Sequence, residues 1–297
     1  MPFAPGHRNG QAPVRQVNRT TGHCPEVQAT AFRIMPKLST YIIAYNEAAK
    51  IEAAISSVLW ADEVVVIDSN SSDGTAKLAE ALGARVVQVP FTGFGELRNR
   101  AVDACQYEWI FSLDSDERCT VAVRDEILAL LASTPAHDAY LVPRRSFMMG
   151  RWITGSGWYP NYRQPQLFRK KAMRYKPDQV HEGYQLLTDK PPGTLSNAIH
   201  QFPFRNLEEL IRKMNRYSTL GVARLRKRRI SMWSALGHGF WAFVKHYLFK
   251  FGFKDGWAGF IIAFGNFEGT FYRYAKRYEE QRDWKPPASE TITKTEP

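Results

Sequence analysis

A chain of 297 residues that is 44% hydrophobic has enough length and apolar content to bury a sizeable core, which excludes a disordered polymer or a disulfide-framed miniature. Its three cysteines, Cys24, Cys105 and Cys119, lack CxxC spacing, which argues against a zinc site and makes a reducing compartment the simpler setting. The net charge of +11 is unevenly placed, since residues 205–254 carry twelve Lys or Arg against only Glu208 and Glu209, a block suited to nucleic acid, anionic lipid or plain solvation.

Residues 1–36 are rich in Pro, Gly, Gln, Arg and Thr without a signal-peptide h-region, and read as a flexible arm. Residues 38–45 form an apolar, β-branched run expected to be a buried strand, after which Asn46 and Glu47 open a helical pattern carried by Ile51, Ala54, Ile55, Val58 and Leu59. The pattern recurs with a strand at 63–68, a turn at 69–74, a helix at 75–82 and a strand at 84–89. Gly93 and Gly95 precede a helix over roughly 96–106, and a strand at 108–113 then delivers Asp114 and Asp116. Alternating strands and helices predict right-handed crossovers, a mostly parallel sheet and ligands gathered at the carboxyl ends of the strands. Asn46, Asp68 and Asp114 then share one rim.

From Ala139 the texture changes to short apolar pieces around an aromatic, glycine-containing loop at 147–162, followed by a run at 166–169 and by Val180-His-Glu-Gly183. After Phe204 the chain reads as helical to about Glu280, and 285–297 are polar, proline-containing and expected to fray. The expected organisation is therefore an arm at 1–36, an α/β domain at 37–204 with its ligand rim at the strand ends, a basic aromatic helical extension at 205–284 and a tail at 285–297.

Two carboxylates two positions apart at a strand end point to the same side, so Asp114 and Asp116 suit one hard divalent cation, Mg²⁺ or Mn²⁺, shared with a phosphate-bearing ligand. Asp68 either caps the turn that follows it or recognises a base or ribose at the rim, and Glu47 either caps a helix or contacts a nucleotide. Arg98 serves a phosphate or simply the surface. His181 and Glu182 offer a metal-ligand imidazole and a carboxylate base in adjacent positions. Trp158 and Tyr159 are packing residues or a platform for a sugar face. The glycines at 93 and 95 lack a dinucleotide fingerprint, and no phosphate-binding GxxxxGK[ST] loop occurs.

In the helical tail, Leu207, Leu210, Ile211, Met214 and Tyr217 keep helical spacing, and a second stripe from Trp233 to Phe251 is aromatic. The uncharged run 256–267 is shorter than the roughly 18 residues of a membrane span. Cations beside Trp, Phe and Tyr instead describe an interfacial helix drawn to an anionic membrane surface. No RNP, KH, helix-turn-helix or zinc pattern accompanies the basic block, so nucleic acid is not an expected partner.

Ser39-Thr-Tyr-Ile-Ile-Ala-Tyr-Asn-Glu47, Trp60-Ala-Asp-Glu-Val-Val-Val-Ile-Asp68, Ser72-Asp-Gly-Thr75, Ser112-Leu-Asp-Ser-Asp-Glu117, Gly157-Trp-Tyr-Pro160, Leu167-Phe-Arg169 and Val180-His-Glu182 occur in this order. Together they resemble the family 2 glycosyltransferases, and more narrowly the lipopolysaccharide core β-glucosyltransferases of the WaaE type, over about 38–280. Asn70 and Ser115 stand where that family usually has small residues, and neither change removes a carboxylate. The resemblance implies a GT-A fold, a nucleotide diphosphate sugar donor, UDP-glucose by expectation, and inversion at the anomeric carbon. It further implies a lipid-linked saccharide acceptor and a cytoplasmic protein peripheral to the inner face of the cytoplasmic membrane.

On that reading Asp114, Asp116 and His181 hold the cation, and Glu182 is the base that acts with Asp116 in catalysis. His181 and Glu182 could exchange roles. Tyr45, Asn46, Glu47, Asp68, Arg98, Asp114 and Trp158 line the donor site. The alternatives are transfer to a polyprenyl phosphate, which needs no hydroxyl-deprotonating base, and a basic nucleic-acid-binding protein.

Overall fold

The computed structural model describes residues 35–162, 164–176 and 183–282. The arm expected at 1–36 lies outside the described residues except for Met35 and Pro36, and the tail expected at 285–297 lies wholly outside them. The first half alternates strand and helix as β1 (Leu38–Ala44), α1 (Ala48–Ser56), β2 (Glu63–Asp68), α2 (Thr75–Ala81), β3 (Arg85–Gln88), α3 (Phe94–Ala104) and β4 (Trp109–Asp114). There follow β5 (Glu117–Arg118), α4 (Val121–Ala132), β6 (Ala139–Leu141), β7 (Arg144–Met148), β8 (Arg151–Trp152), β9 (Pro165–Arg169), β10 (Met173–Tyr175), β11 (Tyr184–Leu186), β12 (Gly193–Thr194) and β13 (Ile199–Gln201).

The main sheet has the order β12-β6-β9-β4-β1-β2-β3. Its pairs β1/β2, β1/β4, β2/β3 and β12/β6 are parallel, and β9 runs antiparallel to both β4 and β6. This is the mostly parallel α/β layer that the sequence led us to expect. Every residue of β1 is buried because helices cover both faces. Ile42, Val66, Phe111 and Leu113 pack against α1 and α4 residues such as Ile51, Ile55, Val123 and Ile127, while Tyr41, Ile43, Val65 and Ile110 face Leu97, Ala101 and Val102 of α3. The strict alternation along β1 is the period-two geometry of an extended chain.

β1 is joined on one side to β2 and on the other to β4, so the chain reverses its direction of growth across the sheet at this pair. Connections diverge there and leave a crevice beyond the carboxyl ends. A smaller sheet, β5-β13-β7-β8, and the antiparallel pair β10/β11 flank this rim or its neighbouring loops.

Helix α4 has no counterpart in the chain-order reading above. Its start is nevertheless written locally, because the Thr120 hydroxyl accepts the Val123 N–H at 3.3 Å and Val123, Ile127 and Leu131 recur every fourth residue on its buried side.

The helical region after Phe204 is α5 (Leu207–Gly221), α6 (Met232–Val244) and α7 (Gly256–Glu280), separated by a 3₁₀ turn at Val222–Leu225 and by a π turn and a second 3₁₀ turn over Lys245–Phe249 and Gly252–Asp255. Asn206 caps α5 by accepting the Glu209 N–H at 2.9 Å, and Ser231 caps α6 by accepting the Ser234 N–H at 3.2 Å. The interruption before α6 coincides with four consecutive cations, Arg226 to Arg229, whose like charges disfavour a continuous helix. No helix of the described residues is long and apolar enough to cross a membrane.

The joint before α7 docks on the aromatic loop. Asp255 is fully buried and accepts from the Thr154 N–H at 3.0 Å, the Thr154 hydroxyl at 3.1 Å and the Gly155 N–H at 2.7 Å. The Ser156 N–H donates to the Lys250 carbonyl at 2.7 Å. A Cβ at Gly155 would stand 2.4 Å from the Phe251 carbonyl oxygen, so only glycine allows this backbone approach.

Candidate active site

The site begins with three acids, since oxygens of Asp114, Asp116 and Glu117 lie within 4.8 Å of one another. Asp114 ends β4 and Asp116 begins the turn into β5, which places both at the crevice between β1 and β4. Their side chains remain partly exposed, whereas Glu117 is fully buried.

Glu117 has a different task from its neighbours. It forms a buried ion pair with Arg144 at 2.5 Å, accepts the Asp114 N–H at 3.0 Å and accepts the Gln166 side-chain amide at 3.0 Å. Burial drives its carboxyl above the ordinary range against the pull of Arg144, and the Asp114 and Asp116 charges add to the rise. Glu117 therefore braces the turn that aims the two aspartates. Arg144 had no local signal in the sequence, because its partner is supplied by a different element.

Arg98 proves to be buried, and its Nη2 donates to Asp114 Oδ1 at 2.6 Å. Its guanidinium also lies 5.6 Å from the Tyr175 ring centroid. An arginine in this place fixes the orientation of Asp114. Asp116 is held through its backbone, whose carbonyl accepts the Phe202 N–H at 2.8 Å, and the Gln201 amide lies 3.4 Å from each carboxylate oxygen.

The donor set fits a hard divalent cation. Two partly exposed aspartates supply oxygen beside the buried Glu117, with Arg98 2.6 Å from Asp114 and Arg144 2.5 Å from Glu117. Asp114 and Asp116 would hold Mg²⁺ or Mn²⁺ from the rim. The expected third ligand His181 and base Glu182 lie outside the described residues.

The loops after β1 and β2 are bound into one unit beside these acids. Asn46, at φ 54°, accepts the Ser72 N–H at 2.8 Å and donates its own N–H to the Ser71 hydroxyl at 2.8 Å. The Glu47 N–H donates to Thr75 Oγ1 at 2.9 Å, and Asp73 accepts the Ala48 N–H at 3.0 Å, so the loop after β2 and the start of α2 cap α1. Asp68 is fully buried and both its oxygens accept from Ser71, one from the N–H at 2.9 Å and one from the hydroxyl, which is the turn-holding role.

Tyr45 is exposed at this rim. Glu47 is 3.6 Å from Lys50, and Lys50 also pairs with Glu209 of α5. Burial raises the Glu47 carboxyl, opposed by Lys50 and assisted by the Asp116 and Glu209 charges. The structure thus brings Asn46, Glu47, Asp68, Arg98, Asp114 and Asp116 to one region of the rim. Trp158 has its ring 6.4 Å from Phe204 and its side chain against the α5 and α7 residues Leu210 and Ile262.

Residues 39–188 match the family described as glycosyl transferase family 2. An uncharacterized glycosyltransferase of Rickettsia bellii (strain RML369-C) is 31% identical over 272 residues, covering 88% of this chain and 92% of the relative. The lipopolysaccharide core biosynthesis glycosyltransferase LpsC of Rhizobium meliloti (strain 1021) is 33% identical over 200 residues, covering 63% of this chain and 72% of LpsC. Among solved structures, glucosyl-3-phosphoglycerate synthase from Mycobacterium tuberculosis, in complex with Mn²⁺, UDP and glucosyl-3-phosphoglycerate, is 31% identical with a TM-score of 0.31; the likeness is partial, covering 38% of this chain and 44% of that one. The family match takes in the crevice strands, the paired aspartates and the loops that meet them, and the chain belongs to glycosyl transferase family 2.

Proposed function

We propose that this nucleotide-sugar glycosyltransferase moves glucose from UDP-glucose, with inversion, to a lipopolysaccharide core or another lipid-linked saccharide at the inner face of the cytoplasmic membrane. The observation that carries the reading is the pair Asp114 and Asp116, partly exposed at the crevice between β1 and β4 in a family 2 chain. The likeness to LpsC supports the core acceptor. Membrane attachment is supported by exposed aromatics, including Trp233, Phe240, Trp241 and Trp257, close in sequence to Lys245, Lys250 and Lys254.

In the proposed displacement, an acceptor hydroxyl oxygen forms a bond to the anomeric carbon as the bond from that carbon to the diphosphate oxygen breaks. The hydroxyl proton passes to Glu182, and UDP leaves from the opposite face. A positioned carboxylate base contributes about 10²–10⁴-fold to such a step. A Mg²⁺ or Mn²⁺ ion bound there would neutralise charge on the departing diphosphate. Asp114 and Asp116 would hold that ion together with His181, while Arg98 keeps Asp114 oriented.

Tyr45, Asn46 and Glu47 form the edge nearest the nucleoside, with Asp68 acting through the turn it secures. Trp158 would contact the acceptor side. The test is transfer and hydrolysis of UDP-glucose with Mn²⁺ or Mg²⁺ by the native chain and by Asp114→Ala. Metal-dependent turnover that falls about 10²–10³-fold in the variant supports the reading, and undiminished turnover overturns it. Glu182→Ala should lose transfer to hydroxyl acceptors if Glu182 is the base.

A further inference from the structure

Between α5 and α7 the chain leaves a cavity of about 260 Å³ that holds neither of the paired aspartates. Its walls include Trp158, Phe204, Leu210, Met214 and Ile262, all apolar or aromatic. On the α7 side Gly265 and Gly269 contribute no side chains, and a Cβ built at Gly265 would meet only Leu210, at an ordinary 3.6 Å. Gly265 therefore leaves room on α7, whereas a Cβ at Gly269 would stand 3.2 Å from the Met214 side chain.

The charged groups at this cavity have one sign, beside the uncharged Tyr217, Ser218, Asn266 and Thr270. Lys213 and Arg273 line it, and among the described residues no Asp or Glu does. Lys213 Nζ lies 5.3 Å from the Phe204 ring centroid, and Arg273 Nε is buried without a hydrogen-bond partner among the described residues. Arg273 packs over Gly221 of α5 and brings a permanent positive charge to the cavity, which favours an anionic oxygen from a ligand. An apolar chamber edged by two cations is complementary to an anionic amphiphile and poorly suited to a neutral sugar.

The chamber is also close along the chain's contacts to the acid pair. The Asp116 carbonyl accepts the Phe202 N–H at 2.8 Å, and Phe204, two residues later, is a cavity wall. A second route runs from Glu47 to Lys50 at 3.6 Å and from Lys50 to Glu209, one helical turn before Lys213. The Glu47 carboxyl feels both Asp116 and Lys213, which places the cationic edge within electrostatic reach of the catalytic rim.

We propose that this cavity is a binding site for a lipid phosphate, taking one apolar chain between α5 and α7 with its phosphate on Lys213 and Arg273. Its use in catalysis rests on the lipid-linked acceptor reading above: an acceptor anchored there would present its sugar end toward Asp116. Binding itself requires no donor and is tested separately.

Decyl phosphate, kept below its micelle concentration, is titrated calorimetrically into the full chain at low salt without nucleotide. Saturable one-to-one binding is expected, at least about tenfold tighter than decanol or inorganic phosphate, because both the chain and the head contribute. Gly265→Leu, which fills the chamber, should weaken decyl phosphate at least about tenfold, while Gly265→Ala retains more of the affinity. Met214→Phe fills the chamber from α5 and gives a second test if Gly265→Leu does not fold. Lys213→Ala with Arg273→Ala should bring decyl phosphate down to the affinity of decanol.

No saturable binding, equal binding of inorganic phosphate, or full affinity in a folded chamber-filling variant overturns the proposal. Intact decyl phosphate binding in a protein that neither binds nor turns over a nucleotide sugar upholds the cavity site and overturns the transfer reading instead.

Discussion

The α/β half and the helical half of this chain use aromatic residues in opposite ways. Trp109, Phe111 and Phe168 are fully buried in the sheet, whereas Trp233 is 83% exposed and Trp257 78% exposed on α6 and α7. The first set is already packed by the chain itself. The second displays apolar surface beside Lys245, Lys250 and Lys254 and lacks a covering element among the described residues. The contrast teaches that the sheet is packed by its own helices, while the helical surface leaves its largest aromatic side chains uncovered among the described residues.

The largest effect should come from hollowing the finished half. Trp109→Ala is expected to destabilise the protein by about 3–5 kcal/mol, measured by denaturant unfolding; a loss below about 1 kcal/mol would show that this core is less tightly packed than its burial indicates. Next is the joint between the halves. Asp255→Ala strands the Thr154 and Gly155 N–H groups and should cost about 1–3 kcal/mol. Because the same loop carries Trp158, transfer should fall further than the fraction unfolded explains, and parallel loss of activity and folding would make Asp255 purely a brace.

A smaller effect is expected at the foot of the sheet. Burial works to raise the Glu63 carboxyl, but hydrogen bonds from the Gln106 N–H, the Ser39 hydroxyl and Arg85 outweigh it and hold the group below its ordinary 4.5. A depressed folded value means the stabilisation is present above the unfolded value and is lost as pH falls through the folded one. Glu63→Gln should therefore lower stability by about 1 kcal/mol at neutral pH and flatten the acid side of the stability curve. An unchanged acid limb would remove Glu63 from that role.

The smallest stability effect belongs to the displayed half. Trp257→Ala should change unfolding free energy by no more than about 0.5 kcal/mol, yet reduce co-flotation with anionic vesicles at low salt. Undiminished flotation of the Trp233→Ala, Trp257→Ala double variant would take those rings out of any membrane contact.

The contrast also marks what could be read before the structure. Strands β1, β2 and β4 announce themselves as apolar β-branched or aromatic runs, and the acids at their ends follow from counting residues. The two uses of tryptophan were not separable by composition, because periodicity reports a face and not what covers it. The reversed strand β9 between β4 and β6 was likewise hidden, since strand order is decided by long-range packing.

Within the site, Asp114 and Asp116 were legible as a pair, and Asp68 in its turn-holding role was one of two local readings. Arg98 was ambiguous because a helical arginine gives no sign of burial until β4 is placed beside it. Arg144 and its ion pair with Glu117 joined segments 27 residues apart in the chain and were not anticipated. Lys50 with Glu209 and Asp255 with the Thr154 loop are further cases in which a long-range partner defines the residue's task.

The central claim is that Asp114 and Asp116 bind a divalent cation that in turn supports the nucleotide sugar. Calorimetric titration of UDP-glucose into the full chain, with and without Mn²⁺, and the same pair of titrations with Asp116→Ala, test it most directly. The account predicts binding that requires Mn²⁺ in the native chain and weakens by at least about tenfold in the variant while its thermal unfolding is unchanged. Equal affinity with and without Mn²⁺, or full Mn²⁺-dependent affinity in Asp116→Ala, would contradict it.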